Sequence, residues 1–339
     1  MARLIQLQHP SNGRYVARVE GDDLFLLQGF ESVYDLALKA LETKTPLAQL
    51  AAGAVAQRPL DYNPIYAGQS EWKILPPLDH PREASRCLVS GTGLTHRKSA
   101  ANRNAMHSSD SSGANNAPPI TDSMKMYQWG EQGGTPPAGQ IGAQPEWFYK
   151  GPGSILRAHN EPLDVLEFSD DGGEEPEIAG LYIVDNDGVP RRLGYALGNE
   201  FSDHAMEKKN YLYLAPSKLR NCSIGPELHT GLTFDDVTGS VRVERAGKVL
   251  WSAELRSGEG HMVHSLANLE HHHFKYPQHR QPGDVHVHFF GTSAFSFGAG
   301  VTLQEGDQIV VEFQNFGRAL RNPLRVSKDA LKLTTVKAL

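Results

Sequence analysis

The 339-residue sequence predicts a β-rich α+β protein, and three observations carry that reading. Short runs that alternate apolar and polar residues recur along the chain, separated by turn residues. Glycine (33) and proline (21) are more frequent than in an average protein, which implies many turns and short strands. Helical periodicity is confined to a few stretches that do not alternate regularly with strands, so a doubly wound parallel sheet is not indicated.

Residues 1 to 30 read as a small antiparallel meander. Its strands, Leu4-Ile5-Gln6-Leu7, Tyr15-Val16-Ala17-Arg18-Val19 and Leu24-Phe25-Leu26-Leu27, are broken by Ser-Asn-Gly and Gly-Asp-Asp. Two helices follow. Ser32 caps the first, whose apolar face is Leu36, Leu38, Ala40 and Leu41; the second begins near Pro46 and carries Leu47, Leu50, Ala51 and Ala54. A proline-rich passage through Trp72 to about Arg86 then marks a boundary between a small N-terminal α+β domain, residues 1–82, and a larger domain, residues 83–339.

The larger domain opens with a strand, Cys87-Leu88-Val89, entering a glycine loop, Gly91-Thr92-Gly93-Leu94-Thr95. A short polar helix over 98–107 and a polar surface loop over 108–118 follow. Strands are predicted over 165–168, 178–184, 191–197, 231–236, 240–245, 249–255, 285–290 and 308–313, with one helix over 261–275.

The formal charge of −6, from 33 basic and 39 acidic side chains, argues against a nucleic-acid protein held by a basic field. Cys87 and Cys222 form no CxxC pair, so a reducing, cytoplasmic compartment fits best. The first residues lack the apolar run of a signal peptide, and the longest small-apolar stretch, 47–56, is half a membrane span.

Two stretches could carry chemistry. In Glu174-Glu175-Pro176-Glu177, residues i and i+2 share a strand face, so Glu175 and Glu177 can point together, and paired carboxylates suit Mg²⁺ or Mn²⁺. The same alternation turns Glu174 away; taken alone, the acidic run also reads as a solvated turn. In the stretch 194–218, a strand ends at Gly198-Asn199-Glu200, Ser202 caps a short helix, and Lys218 follows a proline in an extended segment. Among fifteen histidines, His271, His272 and His273 read as a solvated helix end. His286 and His288 share a strand face, but the next carboxylate is Glu305, so they read as a pocket wall or structural packing before a metal site.

In order, the chain also carries GTGLTHRKS (91–99), Phe148-Tyr149-Lys150, Glu175-Pro176-Glu177, Asn199-Glu200-Phe201-Ser202, PSKLRNCSIGPE (216–227), PGDVHVHFFGTS (282–293) and GRALRN (317–322). This ordered set resembles the fumarylacetoacetate hydrolase superfamily and, within it, the branch of 2-keto-3-deoxy-pentonate (arabinonate) dehydratases. The resemblance implies a mixed β-sandwich roll beside the small N-terminal domain, and a homodimer. It also implies Mg²⁺, with Mn²⁺ as substitute, on Glu175, Glu177 and Glu200. Lys218, Ser99 and Thr292 are implied as catalytic residues, with Lys218 the base. Gly93, Leu94, Thr95, Lys150, Ser202 and Thr292 are implied to hold a small 2-keto acid.

Two departures bear on the reaction. Glu200 stands where the superfamily usually has Asp, and Ser99 where its hydrolases have a water-activating histidine. A serine without a partner base cannot deprotonate water, which favours dehydration of a 2-keto-3-deoxy sugar acid to 2,5-dioxopentanoate. Carbon–carbon hydrolysis of a 2,4-diketo acid is the alternative within the superfamily, and a non-catalytic small-molecule binding protein the alternative outside it.

Overall fold

The computed structural model describes residues 1–55, 58–97 and 121–339. The predicted helix over 98–107, the loop over 108–118 and Ser99 lie outside the described residues.

The predicted meander is present as β1 (Ala2–His9), β2 (Gly13–Glu20) and β3 (Asp23–Leu26), paired antiparallel in sequence order. Gly13 and Gly21 take the turns at φ +88° and +59°, a region other residues enter at a cost. Helix Val33–Thr43 starts where Ser32 Oγ accepts the Asp35 N–H, and it buries Val33, Tyr34, Leu36 and Ala37. Helix Leu47–Gly53 follows Pro46.

Further along come β4 (Leu60–Asp61), β5 (Lys73–Leu75), β6 (Cys87–Gly93), β7 (Glu146–Pro152), β8 (Leu156–Arg157) and β9 (Leu163–Val165). Then β10 (Pro176–Val184), β11 (Pro190–Asn199), β12 (Cys222–Ile224) and β13 (Leu228–Thr230) build the middle of the fold. The chain closes with β14 (Val237–Arg245), β15 (Lys248–Ser257), β16 (Val285–Phe289), β17 (Gln308–Phe313) and β18 (Leu320–Val326).

One 13-stranded sheet runs β4-β3-β2-β1-β13-β11-β10-β16-β6-β7, with β5 on β1, β12 on β11 and β8 on β12; a 5-stranded sheet runs β15-β14-β17-β18-β9. Both are mixed, because β16 and β6, and β18 and β9, pair parallel among antiparallel neighbours. Strand β1 pairs with β13 through Ala2↔Thr230, Arg3↔His229 and Leu4↔Leu228, so one sheet crosses the boundary near residue 82. An apolar core crosses it too, joining Leu4, Leu36 and Ala51 to Val89, Ile183 and Val287.

Strand β10 is buried along its whole length, and its two faces serve two cores. Ala179, Leu181 and Ile183 face the core under the N-terminal helices, while Ile178 and Tyr182 join Val241, Leu255, Val311 and Leu320 between the sheets. The carboxylates at its start are therefore anchored on a strand with no exposed residue. No helix among the described residues is long and apolar enough to cross a membrane.

Four local expectations are corrected. The strand predicted over 165–168 is Leu163–Val165 and ends at the residue where it was expected to begin. Residues 231–236 are irregular, because Gly231 turns the chain at φ +74° directly after β13. The helix predicted over 261–275 is Leu266–Phe274, started by Ser265, whose side chain accepts the Asn268 N–H. Lys218 ends a short helix, Leu214–Lys218, rather than lying in an extended segment.

Candidate metal centre

Glu175 precedes β10 by one residue, Glu177 lies within it, and Glu200 follows β11. The antiparallel register Pro176↔Asn199 and Glu177↔Gly198 brings the two strand ends together. Glu200 N donates to Glu175 O at 2.9 Å, and Asn199 Oδ1 accepts the Glu175 N–H at 3.1 Å, so the backbone on either side is pinned. The three side chains are buried, and one oxygen from each lies within 4.8 Å of the others.

The acidic run is thus not a solvated turn. Gly172 and Gly173 explain how it is enclosed: a Cβ at Gly172 would lie 2.5 Å from the Phe201 ring, and one at Gly173 would lie 2.2 Å from His204 Nδ1. The two glycines let the segment after β11 pack directly over the carboxylates. Glu174 does point away, yet it is fully buried and accepts from Ser296 N at 2.6 Å and Ser296 Oγ at 2.8 Å.

Each carboxylate has its own support. Lys218 Nζ donates to Glu175 Oε1 at 2.6 Å, Glu200 Oε2 at 2.7 Å and Ser202 Oγ at 2.9 Å, and lies 3.2 Å from Glu207 Oε1. Lys150 Nζ donates to Glu200 Oε1 and to Phe201 O. Glu177 Oε2 accepts only the Gly291 N–H, at 2.7 Å, among the hydrogen bonds seen. Burial, and then the charges of Glu200 and Glu175, hold the Glu177 carboxyl well above the usual carboxylate range. Burial also raises Glu175, but Lys218 and His204 outweigh it and hold that carboxyl well below the usual range. Burial would depress the Lys218 ammonium; Glu175, Glu200 and Glu207 override it and hold it well above the ordinary lysine value.

The charges test whether a cation belongs here. With all four ionised, Glu175, Glu177, Glu200 and Glu207 outnumber the two ammonium groups, Lys150 and Lys218, a deficit of positive charge that the metal-free protein meets by the raised Glu177 carboxyl and by His204 beside Glu175. A hard divalent cation with oxygen ligands fits both that deficit and the converging donor set.

Of the residues read from the sequence, Lys218, Lys150 and Ser202 join the three glutamates. The polar atoms of Lys150 and Ser202 are engaged with Glu200. Ser202 does not cap the next helix; Asp203 does, accepting the Met206 N–H at 2.9 Å. Thr292 lies next to Gly291, and its hydroxyl bonds Pro176 O and Ala294 O, both at 2.9 Å. The glycine loop reaches the same end of the sheet: Thr95 Oγ1 bonds Phe290 O, and a Cβ at Gly291 would lie 2.0 Å from Thr95 Oγ1. Leu94 has φ +56°, and Gly93 leaves room for Glu146, whose Oε1 would lie 1.8 Å from a Cβ there.

The sequence reading missed His204, Glu207 and Glu146. His204 Nε2 lies 3.0 Å from Glu175 Oε1. Its i+3 spacing from Glu207 on one helical turn was the available signal. Tyr211 donates to buried Glu146 at 2.9 Å. A groove of about 850 Å³, lined in part by Asp171, Gly173, Ala205, Ser296 and Phe297, lies beside this region without reaching the three glutamates.

His272 and His273 are buried, against the solvated helix end expected. The Trp147 indole N–H donates to His273 Nδ1 at 3.2 Å, which places the proton of neutral His273 on Nε2, 3.0 Å from His286 Nδ1. His286 then carries its own proton on Nε2 and has no lone pair there for a metal. His288 Nδ1 is 2.9 Å from Ser90 Oγ.

No family model matches the chain. A protein of Haloferax volcanii named "Probable 2-keto-3-deoxyxylonate dehydratase" is 29% identical over 179 residues, spanning 51% of this chain and 58% of that protein. A 2-dehydro-3-deoxy-D-arabinonate dehydratase of Saccharolobus solfataricus is 27% identical over 124 residues, spanning 34% of this chain and 39% of that protein. The match to these curated relatives thus covers less than two thirds of their length. Among solved structures, a 2-keto-3-deoxy-D-arabinonate dehydratase complexed with magnesium and 2,5-dioxopentanoate superposes with a TM-score of 0.69 at 19% identity, covering 96% of this chain and 100% of that one. A 5-carboxymethyl-2-hydroxymuconate delta-isomerase from Mycobacterium smegmatis gives 0.58 at 17% identity, covering 96% and 100%.

The fold is that of the fumarylacetoacetate hydrolase superfamily. Within that fold, Glu175, Glu177 and Glu200 lie where β10 begins and β11 ends.

Proposed function

We propose that this chain is a Mg²⁺-dependent hydro-lyase that converts a 2-keto-3-deoxy-pentonate to 2,5-dioxopentanoate and water. The observation that carries the reading is the convergence of three buried carboxylates with Lys218 at one strand end. The two dehydratase relatives and the fold support it. Bound to Glu175, Glu177 and Glu200, Mg²⁺ would supply Lewis acidity to a chelated 2-keto acid and acidify its C3 protons.

Lys218 is the group assigned to take a C3 proton. Its ammonium is held by the carboxylates of Glu175, Glu200 and Glu207, and committing the first two to a cation would weaken what keeps it charged, leaving Glu207 as its partner. Loss of the C4 hydroxyl as water then leaves a C3–C4 alkene, which isomerises to the C5 aldehyde. Thr292 and the backbone of residues 93 to 95 are assigned to the substrate carboxylate and hydroxyls, Lys150 and Ser202 to Glu200. A cytoplasmic homodimer completes the proposal.

Purified protein incubated with 2-keto-3-deoxy acids and 2,4-diketo acids, with Mg²⁺ or EDTA, tests the reading. Formation of 2,5-dioxopentanoate only with the metal is the expected result. Two smaller acids carrying solvent ¹⁸O would establish hydrolysis instead, and binding without turnover would establish a binding protein.

A further inference from the structure

We propose that His204 is a positioning residue of the metal centre, fixing the Glu175 carboxylate from behind so that the oxygen to which it does not donate is presented to the cation. The proposal rests on the reading above for the identity of the metal site, but not for the reaction catalysed there.

The geometry is a closed circuit of contacts. His204 Nε2 reaches Glu175 Oε1 at 3.0 Å, and Lys218 Nζ reaches the same oxygen at 2.6 Å. Two donors from different helices on one oxygen fix the rotation of the carboxylate, and neither occupies Oε2. The imidazole is itself held: the rings of Phe295 and Phe297 lie 4.9 Å and 5.4 Å from it, centroid to centroid. Gly173 closes the third side, where any Cβ would stand 2.2 Å from Nδ1. The two phenylalanines flank Ser296, and Ser296 is clamped through its N–H and hydroxyl by Glu174. Adjacent glutamates thus act on opposite sides of one chain: Glu174 holds the turn that holds the imidazole, and the imidazole holds Glu175. The backbone at His204 is fixed as well, since Asp203, which caps its helix, is bonded by Arg220 at 2.6 Å.

Groups that orient a metal ligand typically change metal affinity by about 10- to 100-fold when removed. Mn²⁺ binding, followed by the loss of the free-ion EPR signal without substrate, is the readout. His204→Leu should weaken Mn²⁺ binding by about 10-fold or more, while His204→Gln, whose amide can donate to Glu175 Oε1, should recover most of it. A folded His204→Leu protein that binds Mn²⁺ as the wild type does would overturn the proposal, as would a His204→Gln protein no better than His204→Leu. If His204→Leu fails to fold, Phe297→Leu loosens the imidazole without removing it; it should weaken Mn²⁺ binding about threefold or more, and wild-type affinity in that variant overturns the proposal. Wild-type protein that binds no Mn²⁺ would remove the metal centre itself and the role of His204 with it. Normal Mn²⁺ binding without dehydratase turnover would remove only the proposed reaction.

Discussion

Lys218 Nζ stands 2.6 Å from Glu175 Oε1, with both groups shut off from solvent. Without a cation this lysine is the counter-charge for Glu175, Glu200 and Glu207 together. Lys218→Ala should therefore have two effects. Activity should fall by about 10² or more, the scale for losing a general base. The metal-free protein should also lose about 3–5 kcal/mol, the scale for stripping one partner from a buried ion pair, and Mg²⁺ should restore much of it. Kinetics at saturating Mg²⁺ and melting curves with and without EDTA check the pair of outcomes.

Glu175 and Glu177 should separate in the metal-free protein although both are needed for the cation. Glu175→Gln breaks its pairs with Lys218 and His204 and should lower the melting temperature. Glu177 forms no ion pair among the described residues and is raised by burial and by its two acidic neighbours more than Lys218 lowers it, so Glu177→Gln should leave the metal-free protein equally or more stable. Both variants should lose Mg²⁺ binding and activity. A Glu177→Gln protein that keeps full activity in EDTA would remove the metal centre.

Glu174 points away from the other glutamates but holds the turn at Ser296. Glu174→Ala would leave the buried Ser296 N–H without its acceptor and should cost about 1–3 kcal/mol, the penalty for an unsatisfied buried donor. Denaturant unfolding at saturating Mg²⁺ measures it, and a change under about 0.5 kcal/mol would show that the turn is held by other means.

What the sequence made legible follows from which signals are local. The alternation of Glu175 with Glu177 and the capping role of Ser32 are read within a few residues, and both hold in the structure. The ordered landmarks supplied Lys218 and Glu200, which no local pattern singles out. Gly172, Gly173 and Glu174 read as a solvated turn because the reason for them, the approach of Phe201 and His204, lies across the sheet. Ser202 and Asp203 are both good capping residues, and only the direction of the chain after β11 decides between them. The tripled histidines read as solvent-facing because helical spacing spreads them over three directions. Here helix Leu266–Phe274 lies between the 13-stranded sheet and the segment near Gly142, so two of the three directions are interior.

Those buried imidazoles set an acid limit on stability. Burial first, and then the neighbouring histidines, bring His286 and His288 down to about 3 and His273 well below its ordinary value. The groups that act on them from helix Leu266–Phe274, the 279 turn and β16 are other histidines, with no carboxylate among the causes. In the unfolded chain each would titrate near 6.5, so below that pH the unfolded state binds protons that the folded state does not. Stability is accordingly intact above about pH 6.5 and is lost progressively as the pH falls toward 3. One such histidine contributes a loss of about 2 kcal/mol between pH 7 and pH 5. The carboxylates raised by burial act in the opposite sense, so the test is a difference between variants. His288→Gln removes one titrating imidazole, and at saturating Mg²⁺ its stability relative to the wild type should improve by about 2 kcal/mol from pH 7 to pH 5. Urea unfolding at the two pH values measures the change. A constant difference would mean that His288 is protonated, or solvated, in the folded protein at pH 5.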